Sequence, residues 1–271
     1  MMTKIPYAEL HSFSESGQPF TGNPAGVCLL ESFPDDDVLM GIANSNNLSE
    51  TAFIVARGED NWDLRWFTPA VEVDLCGHAT FAAGAWLFFN DRVQGKTARF
   101  ETRSGELKVN ALDSDTFAMD LPKVGYKPAA DDPSVVEALG AGNPRGTYDI
   151  ERVHGAKYQM LVFDTEATIA ALKPDHGLLR RVGTNVIATA AGKSVDFVSR
   201  FFAPASGVDE DPVTGSAHCT LAPFWSDQLQ RPRLSARQIG PRSGALDVEP
   251  RGNRVVLSGH ASPYLEGMIR L

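Results

Sequence analysis

The chain has 271 residues, of which 43% are hydrophobic and 22% charged, and a formal net charge of −9. This is the composition of a globular protein long enough for one large domain or two ordinary ones. The negative balance argues against nucleic acid, whose phosphates need a basic surface, and against an anionic membrane.

Three cysteines, Cys28, Cys76 and Cys219, cannot all pair with one another. The opening "MMTKIPYAELHSF" lacks a long apolar h-region, so a reduced cytoplasm is the expected setting.

In chain order, "YAELHSFSESGQPFTGNPAGVCLLESF" reads as two strands around a loop broken at Gly22, Asn23 and Pro24. Asp35–Asp37 make an acidic first turn for a helix ending near Asn46. "SETAFIVARG" and "NWDLRWFTPAVEVDLC" are strands, the second turning at Pro69. A helix is expected from about Ala79 to Asn90; its run "FAAGAWLFF" is too short to span a bilayer and reads as buried. "ARFETRSGELKVNALDSDTFAMDLP" alternates in the manner of an antiparallel meander.

The breaker-rich "PKVGYKPAADDP" marks a lobe boundary, giving an N-terminal lobe of residues 1–122 and a C-terminal lobe of 123–271. Beyond it come a short helix, a strand in "YQMLVFD" and a helical stretch up to Pro174. Strands follow in "NVIATAAG" and "VDFVSRFFAP", then an apolar helix in "SAHCTLAPFWSDQL" with a kink allowed at Pro223. The tail reads strand, turn, strand.

Two passages echo each other. "LRWFTPAVEVDLCGHAT" and "SRFFAPASGVDEDPVTGSAH" each run Arg, two aromatics and a Pro, then acidic residues, then a Gly that opens an Ala-rich helix. A duplicated unit of about half the chain is the simplest account. At each Gly turn a helix N-terminus offers unpaired N–H groups to an anion. The donors are Gly77, His78, Ala79 and Thr80 in one half and Thr214, Gly215, Ser216 and Ala217 in the other. Facing each other across a cleft, the two would hold a substrate carboxylate and stabilise an enolate-like intermediate. Thr and Ser at such positions more commonly just cap helices.

Glu50, at the head of an apolar strand, is a candidate proton carrier if partly buried; on its own it reads as a strand-edge acid. Asp74, His78, Asp209, Glu210, Asp211 and His218 include common metal ligands, but without HExxH or His-x-His spacing no metal is expected. Cys76 at a helix start could be a base or nucleophile, or a small buried hydrophobe. A two-thiol epimerase would need a partner just before Thr214, where the chain has Asp211, Pro212 and Val213.

Taken together, "FTGNPAGV", "LSETAFI", "RWFTPAVEVDLCGHAT", "SRFFAPASGVDEDPVTGSAH" and "LSGHA" resemble the PhzF-like (phenazine-biosynthesis-like) isomerase family of the diaminopimelate epimerase-like superfamily. The resemblance implies an α+β fold of two pseudo-symmetric lobes, each a curved, mostly antiparallel sheet wrapped around a central helix, with the active site between them. It further implies cofactor-independent proton transfer and a homodimer. By motif, Glu50 is the acid/base, and Gly77, His78, Asp211, Gly215 and Ser216 line the substrate. Cys76, Asp74, Thr214 and His218 are supporting or alternative residues. "QIGPRSG" departs from the family's usual Gln-x-x-x-Arg-Gly-Gly at Ser243.

The expected function is therefore a cofactor-free isomerase or epimerase of a small carboxylate-bearing metabolite. Its rivals are a thiol-dependent epimerase or racemase using Cys76, and a non-catalytic protein that binds small carboxylates.

Overall fold

The structure, a computed structural model, describes residues 4–151 and 156–271. It divides into two compact units, one made of Met1–Leu121 with Ser258–Leu271 and the other of Pro122–Leu257.

The first unit contains β1 (Lys4–Ser14), β2 (Asn23–Leu30), α1 (Asp36–Asn46), β3 (Thr51–Gly58), β4 (Asn61–Phe67), β5 (Glu72–Val73), α2 (Gly77–Phe89), β6 (Thr97–Thr102), β7 (Gly105–Ala111) and β8 (Thr116–Pro122). Along its sheet β1 pairs antiparallel with β2, and β2 parallel with β3. Next, β3 pairs antiparallel with β4, β4 parallel with β6, and β6 antiparallel with β7. Each parallel step needs a crossover, and α1 and α2 supply the two.

The second unit contains β9 (Tyr126–Ala129), α3 (Pro133–Leu139), β10 (Gly146–Ile150), β11 (Lys157–Val162), α4 (Glu166–Ala171), α5 (His176–Val182), β12 (Thr184–Ala191), β13 (Phe197–Ala203), β14 (Val208–Asp211), α6 (Gly215–Leu229), β15 (Leu234–Ile239) and β16 (Ser243–Arg251). Beginning at β10 it repeats the series of the first unit. β10–β11 is antiparallel, β11–β12 parallel, β12–β13 antiparallel, β13–β15 parallel and β15–β16 antiparallel. The order and sense of pairing match step for step, so the echo in the sequence is an echo in topology. The last strand, β17 (Arg254–Arg270), runs antiparallel to β1 from His260 onward.

The helix α2 is buried without interruption from His78 to Leu87. A helix apolar on every side belongs inside a core rather than on a face, and α2 packs on β1, β2, β3 and β7. Its equivalent α6 is buried from Ala217 to Trp225, carries Pro223 within a continuous helix, and packs on β15 and β16. Shorter helices cover other apolar faces. Leu39, Ile42 and Ala43 of α1 cluster with Cys28, Phe53 and Phe67. Leu139, Ile169 and Leu179 of α3, α4 and α5 cluster with Leu161, Val186 and Phe202.

The helix read up to Pro174 is α4, and a second helix follows the proline, because Asp175 starts α5 by accepting the Leu178 N–H at 2.8 Å.

Both echoed Arg residues do the same job. Arg65 of β4 holds Glu72 through two bonds, Nε to Oε1 at 2.7 Å and Nη2 to Oε2 at 2.8 Å, and lies 5.1 Å from the centre of the Phe67 ring. Arg200 of β13 holds Glu210 through the same two atoms at 2.8 Å each and lies 4.9 Å from the Phe202 ring. Bidentate Arg–carboxylate pairs fix orientation as well as distance. Each therefore ties a strand to the short segment that runs into the following buried helix.

α2 approaches β7 very closely at Gly84, where an added Cβ would lie 2.5 Å from the Val109 Cβ. Gly84→Ala gains about 1 kcal/mol of helix propensity but forces a clash with a branched core side chain, which costs about 1–3 kcal/mol. Urea unfolding is expected to show a net loss of stability; a stabilised variant would mean the helix and strand can part freely.

Candidate functional site

In the first unit three candidate residues meet. Glu50 immediately precedes β3, its carbonyl accepting the Gly26 N–H at 3.2 Å where β2 and β3 begin to pair. Cys76 is the N-cap of α2 and His78 lies in its first turn. His78 Nε2 is 3.3 Å from Glu50 Oε2, with the two side chains 8% and 18% exposed. On the other edge of the ring, His78 Nδ1 is 3.5 Å from Cys76 Sγ. One imidazole thus touches a carboxylate and a thiol.

Neighbouring elements hold this turn in place. Thr80 Oγ1 donates to the Cys76 carbonyl at 2.6 Å, and Ser12 Oγ donates to the His78 carbonyl at 2.7 Å. Just beyond Ser12, β1 breaks register between Ser12 and Ser14. The residue between them, Phe13, has φ 58° and is fully buried against Phe81 at 4.3 Å between ring centres. A left-handed aromatic residue costs about 1–3 kcal/mol and persists only where its surroundings dictate it. Gly22 enforces the close approach of the adjoining loop: at φ +81° its Cβ would lie 2.8 Å from the Ser12 carbonyl.

Burial pushes His78 down to about 4 from the ordinary 6.5, with the Pro24 carbonyl working the other way. At neutral pH the ring is uncharged, so its contact with Glu50 is not an ion pair. Asp74 stands apart from this group, exposed and 3.9 Å from Arg103.

The second unit places Asp211, Thr214 and Gly215 around the start of α6, with Ser216 exposed on its first turn. Thr214 does not cap the helix with its side chain, nor does Cys76 cap α2, so the capping expected of such residues is not what they do. The Thr214 hydroxyl instead makes a very short hydrogen bond to Asp211 Oδ2.

Gln238, which the sequence marked only as a landmark, organises this turn. Its Oε1 accepts the Thr214 N–H at 2.9 Å, and its Nε2 donates to the Asp211 carbonyl at 2.5 Å and to Thr214 Oγ1 at 3.2 Å. With its oxygen accepting from Gln238, the Thr214 hydroxyl has its proton free for Asp211, whose carboxylate is the acceptor. Ser243, the departure from the family pattern, sits at the start of β16 opposite Ile239.

His218 braces the start of α6. It is fully buried, its Nδ1–H donates to the Thr214 carbonyl at 2.8 Å, and burial lowers it to about 4. Thr80 makes the same bond one helix turn into α2, so the two units stabilise the turn with different side chains in one position. Asp209 pairs with Arg180 and Glu210 with Arg200. The acidic run therefore does not gather as a metal set.

The sequence and the fold match a known group of proteins. The chain matches the family described as "Phenazine biosynthesis-like protein" over residues 11–267. It belongs to that family. It is 47% identical to an uncharacterized isomerase of Pseudomonas aeruginosa, over 97% of this chain and 98% of that one. A crystal structure of a phenazine biosynthesis protein of the PhzF family from Enterococcus faecalis superposes with a TM-score of 0.90 at 39% identity, covering 99% of this chain and all of that one. A probable proline racemase from Agrobacterium radiobacter K84 shares the fold, with a TM-score of 0.65 at 11% identity over 98% and 92% of the two chains. This family member is accordingly an isomerase with an α+β, epimerase-like fold. Among the described residues no helix is long and apolar enough to cross a membrane.

Both buried histidines bind a proton more readily unfolded than folded. Between pH 6.5 and about 4 the unfolded chain holds more protons, so stability falls as pH drops through that window. The urea midpoint is expected to decline from pH 7 to pH 5, with two of the six histidines showing no titration above pH 5 by NMR. A flat midpoint with all six titrating near 6.5 would contradict this.

Proposed function

We propose that the protein is a cofactor-independent isomerase or epimerase that moves a proton on a small carboxylate-bearing metabolite, with Glu50 as the acid/base. The observation that carries this reading is a partly buried carboxylate 3.3 Å from a neutral imidazole at the start of a buried helix. A neutral His78 beside Glu50 does not neutralise it, which leaves the carboxylate able to take a proton from carbon and return it elsewhere. The first-turn N–H groups at Gly77 and His78, and those at Gly215 and Ser216, are donors suited to a carboxylate and to charge developing beside it. Asp211, kept as an acceptor by Thr214, would take a hydrogen bond from a donor group of the substrate. Homodimer assembly and a cytoplasmic setting belong to the same proposal.

The test is deuterium uptake from heavy water into a turned-over substrate. Glu50→Gln is expected to lower exchange at least 100-fold, the lower end of what one positioned acid/base contributes, while substrate still binds. Exchange at the wild-type rate in that variant rules the role out.

The contact of Cys76 Sγ with His78 Nδ1 at 3.5 Å favours a second reading, in which the thiol serves as the base. In that case Cys76→Ala would abolish exchange while Glu50→Gln kept it.

A further inference from the structure

We propose that residues 265–271 are the surface through which two copies of this chain pair, strand against antiparallel strand, about a two-fold axis at Met268. This names the contact for the homodimer proposed above and rests on that dimer, not on the role assigned to Glu50.

Of the nine exposed large hydrophobic residues among those described, four lie within eight positions: Tyr264, Leu265, Met268 and Leu271. A concentration of this kind marks an interaction site more often than chance exposure. They occupy the end of β17 and the residue after it. On one side β1 accompanies this run in unbroken register, from Glu9 opposite Leu265 to Lys4 opposite Arg270. The chain entering β8 meets β17 at Ala261, whose N–H donates to the Asp115 carbonyl at 3.0 Å. Past that point residues 263–268 are exposed one after another, on both faces of the strand. Pro263 fits the same picture, since sheets admit proline mainly at edges. A regular edge invites a further strand, and proteins usually blunt it with a bulge or an inward charge. The bulge of β17 falls before Leu265 and leaves the apolar run intact.

The run is complementary to itself. In "LEGMIRL" an antiparallel copy centred on Met268 sets Leu265 against Leu271, Glu266 against Arg270, Gly267 against Ile269, and Met268 against its own counterpart. Glu266 and Arg270 are the only charges in the run, and no other centre brings them together. Within one chain Arg270 stands opposite Lys4, and Glu266 opposite Ala8. Like charges directly opposite are unfavourable, so a second copy gives Arg270 an acid where β1 gives it another base. The faces agree as well. Side chains alternate along a strand, which puts Leu265 on the face of Ile269, and Ile269 packs against the cluster that holds Leu39 and Ile42 of α1. Beside it a groove of about 620 Å³ is lined by Val38, Ile42, Ile269 and Leu271. The copy's Leu265, set against Leu271, lies on the side that opens to this groove. Two-fold symmetry makes every such contact twice.

Two measurements on the full chain test the pairing. Met268→Cys is expected to give a covalent dimer on mild oxidation, because directly opposed residues of antiparallel strands stand about 4.5–5.5 Å apart, within disulfide reach. The native cysteines are buried, so the wild-type chain should stay uncross-linked under the same conditions. In sedimentation, Glu266→Arg and Arg270→Glu should each weaken the dimer at least about 10-fold, two like-charge contacts replacing two favourable ones. The double reversal should restore it. A wild-type chain that sediments as a monomer overturns the homodimer and this surface together. A dimer that neither reversal weakens, or that Met268→Cys fails to cross-link, overturns the surface alone. Reversals that weaken the dimer without rescue in the double variant overturn the register. Neither measurement uses substrate, so a failure of the assigned acid/base role leaves the result standing.

Discussion

Behind their first turns α2 and α6 are buried, and the first N–H groups of a helix have no partner within it. A capping side chain commonly satisfies such groups. For α2 and α6 the N-cap side chains of Cys76 and Thr214 do not do so. Much of the surrounding structure holds these two turns open and in register. Thr80 and His218 tie the fourth residue of each helix back to the cap carbonyl. Arg65 and Arg200 clamp the segments that lead in.

The two turns have the same frame and different fillings. In one, a thiol and an imidazole stand beside Glu50. In the other, Gln238 and Thr214 present Asp211 as a fixed acceptor. The duplicated frame therefore carries unlike chemistry in its two copies. Histidine serves each half differently as well: His78 contacts Glu50, whereas His218 bonds the cap carbonyl of α6.

Features whose cause is local in sequence were legible before the structure. The Arg-aromatic-aromatic-x-Pro strands, the Gly turns and the apolar helices each carry their signal within a few residues, and so the duplication and the place of Glu50 could be read. Other features depend on distant partners. Gln238 acts on Thr214 from 24 positions away and Ser12 on His78 from 66, and neither residue type announces such a role. β10 and β15 are short and half polar, and gained no reading as strands. The pairing of β17 with β1 joins opposite ends of the chain, which no local pattern can reveal. The proximity of Glu50 to His78 was also out of reach, since it depends on how β3 and α2 pack.

The claim at the centre of this account is that the starts of α2 and α6 are anion sites and that the acidic surface around them is not. Amide-resolved ¹⁵N NMR during an acetate titration tests it most directly. The account predicts that the largest shifts fall on the N–H groups of Gly77 and His78 and of Gly215 and Ser216, and that they saturate. Shifts confined to exposed Arg and Lys segments, with these four amides unmoved, would contradict it.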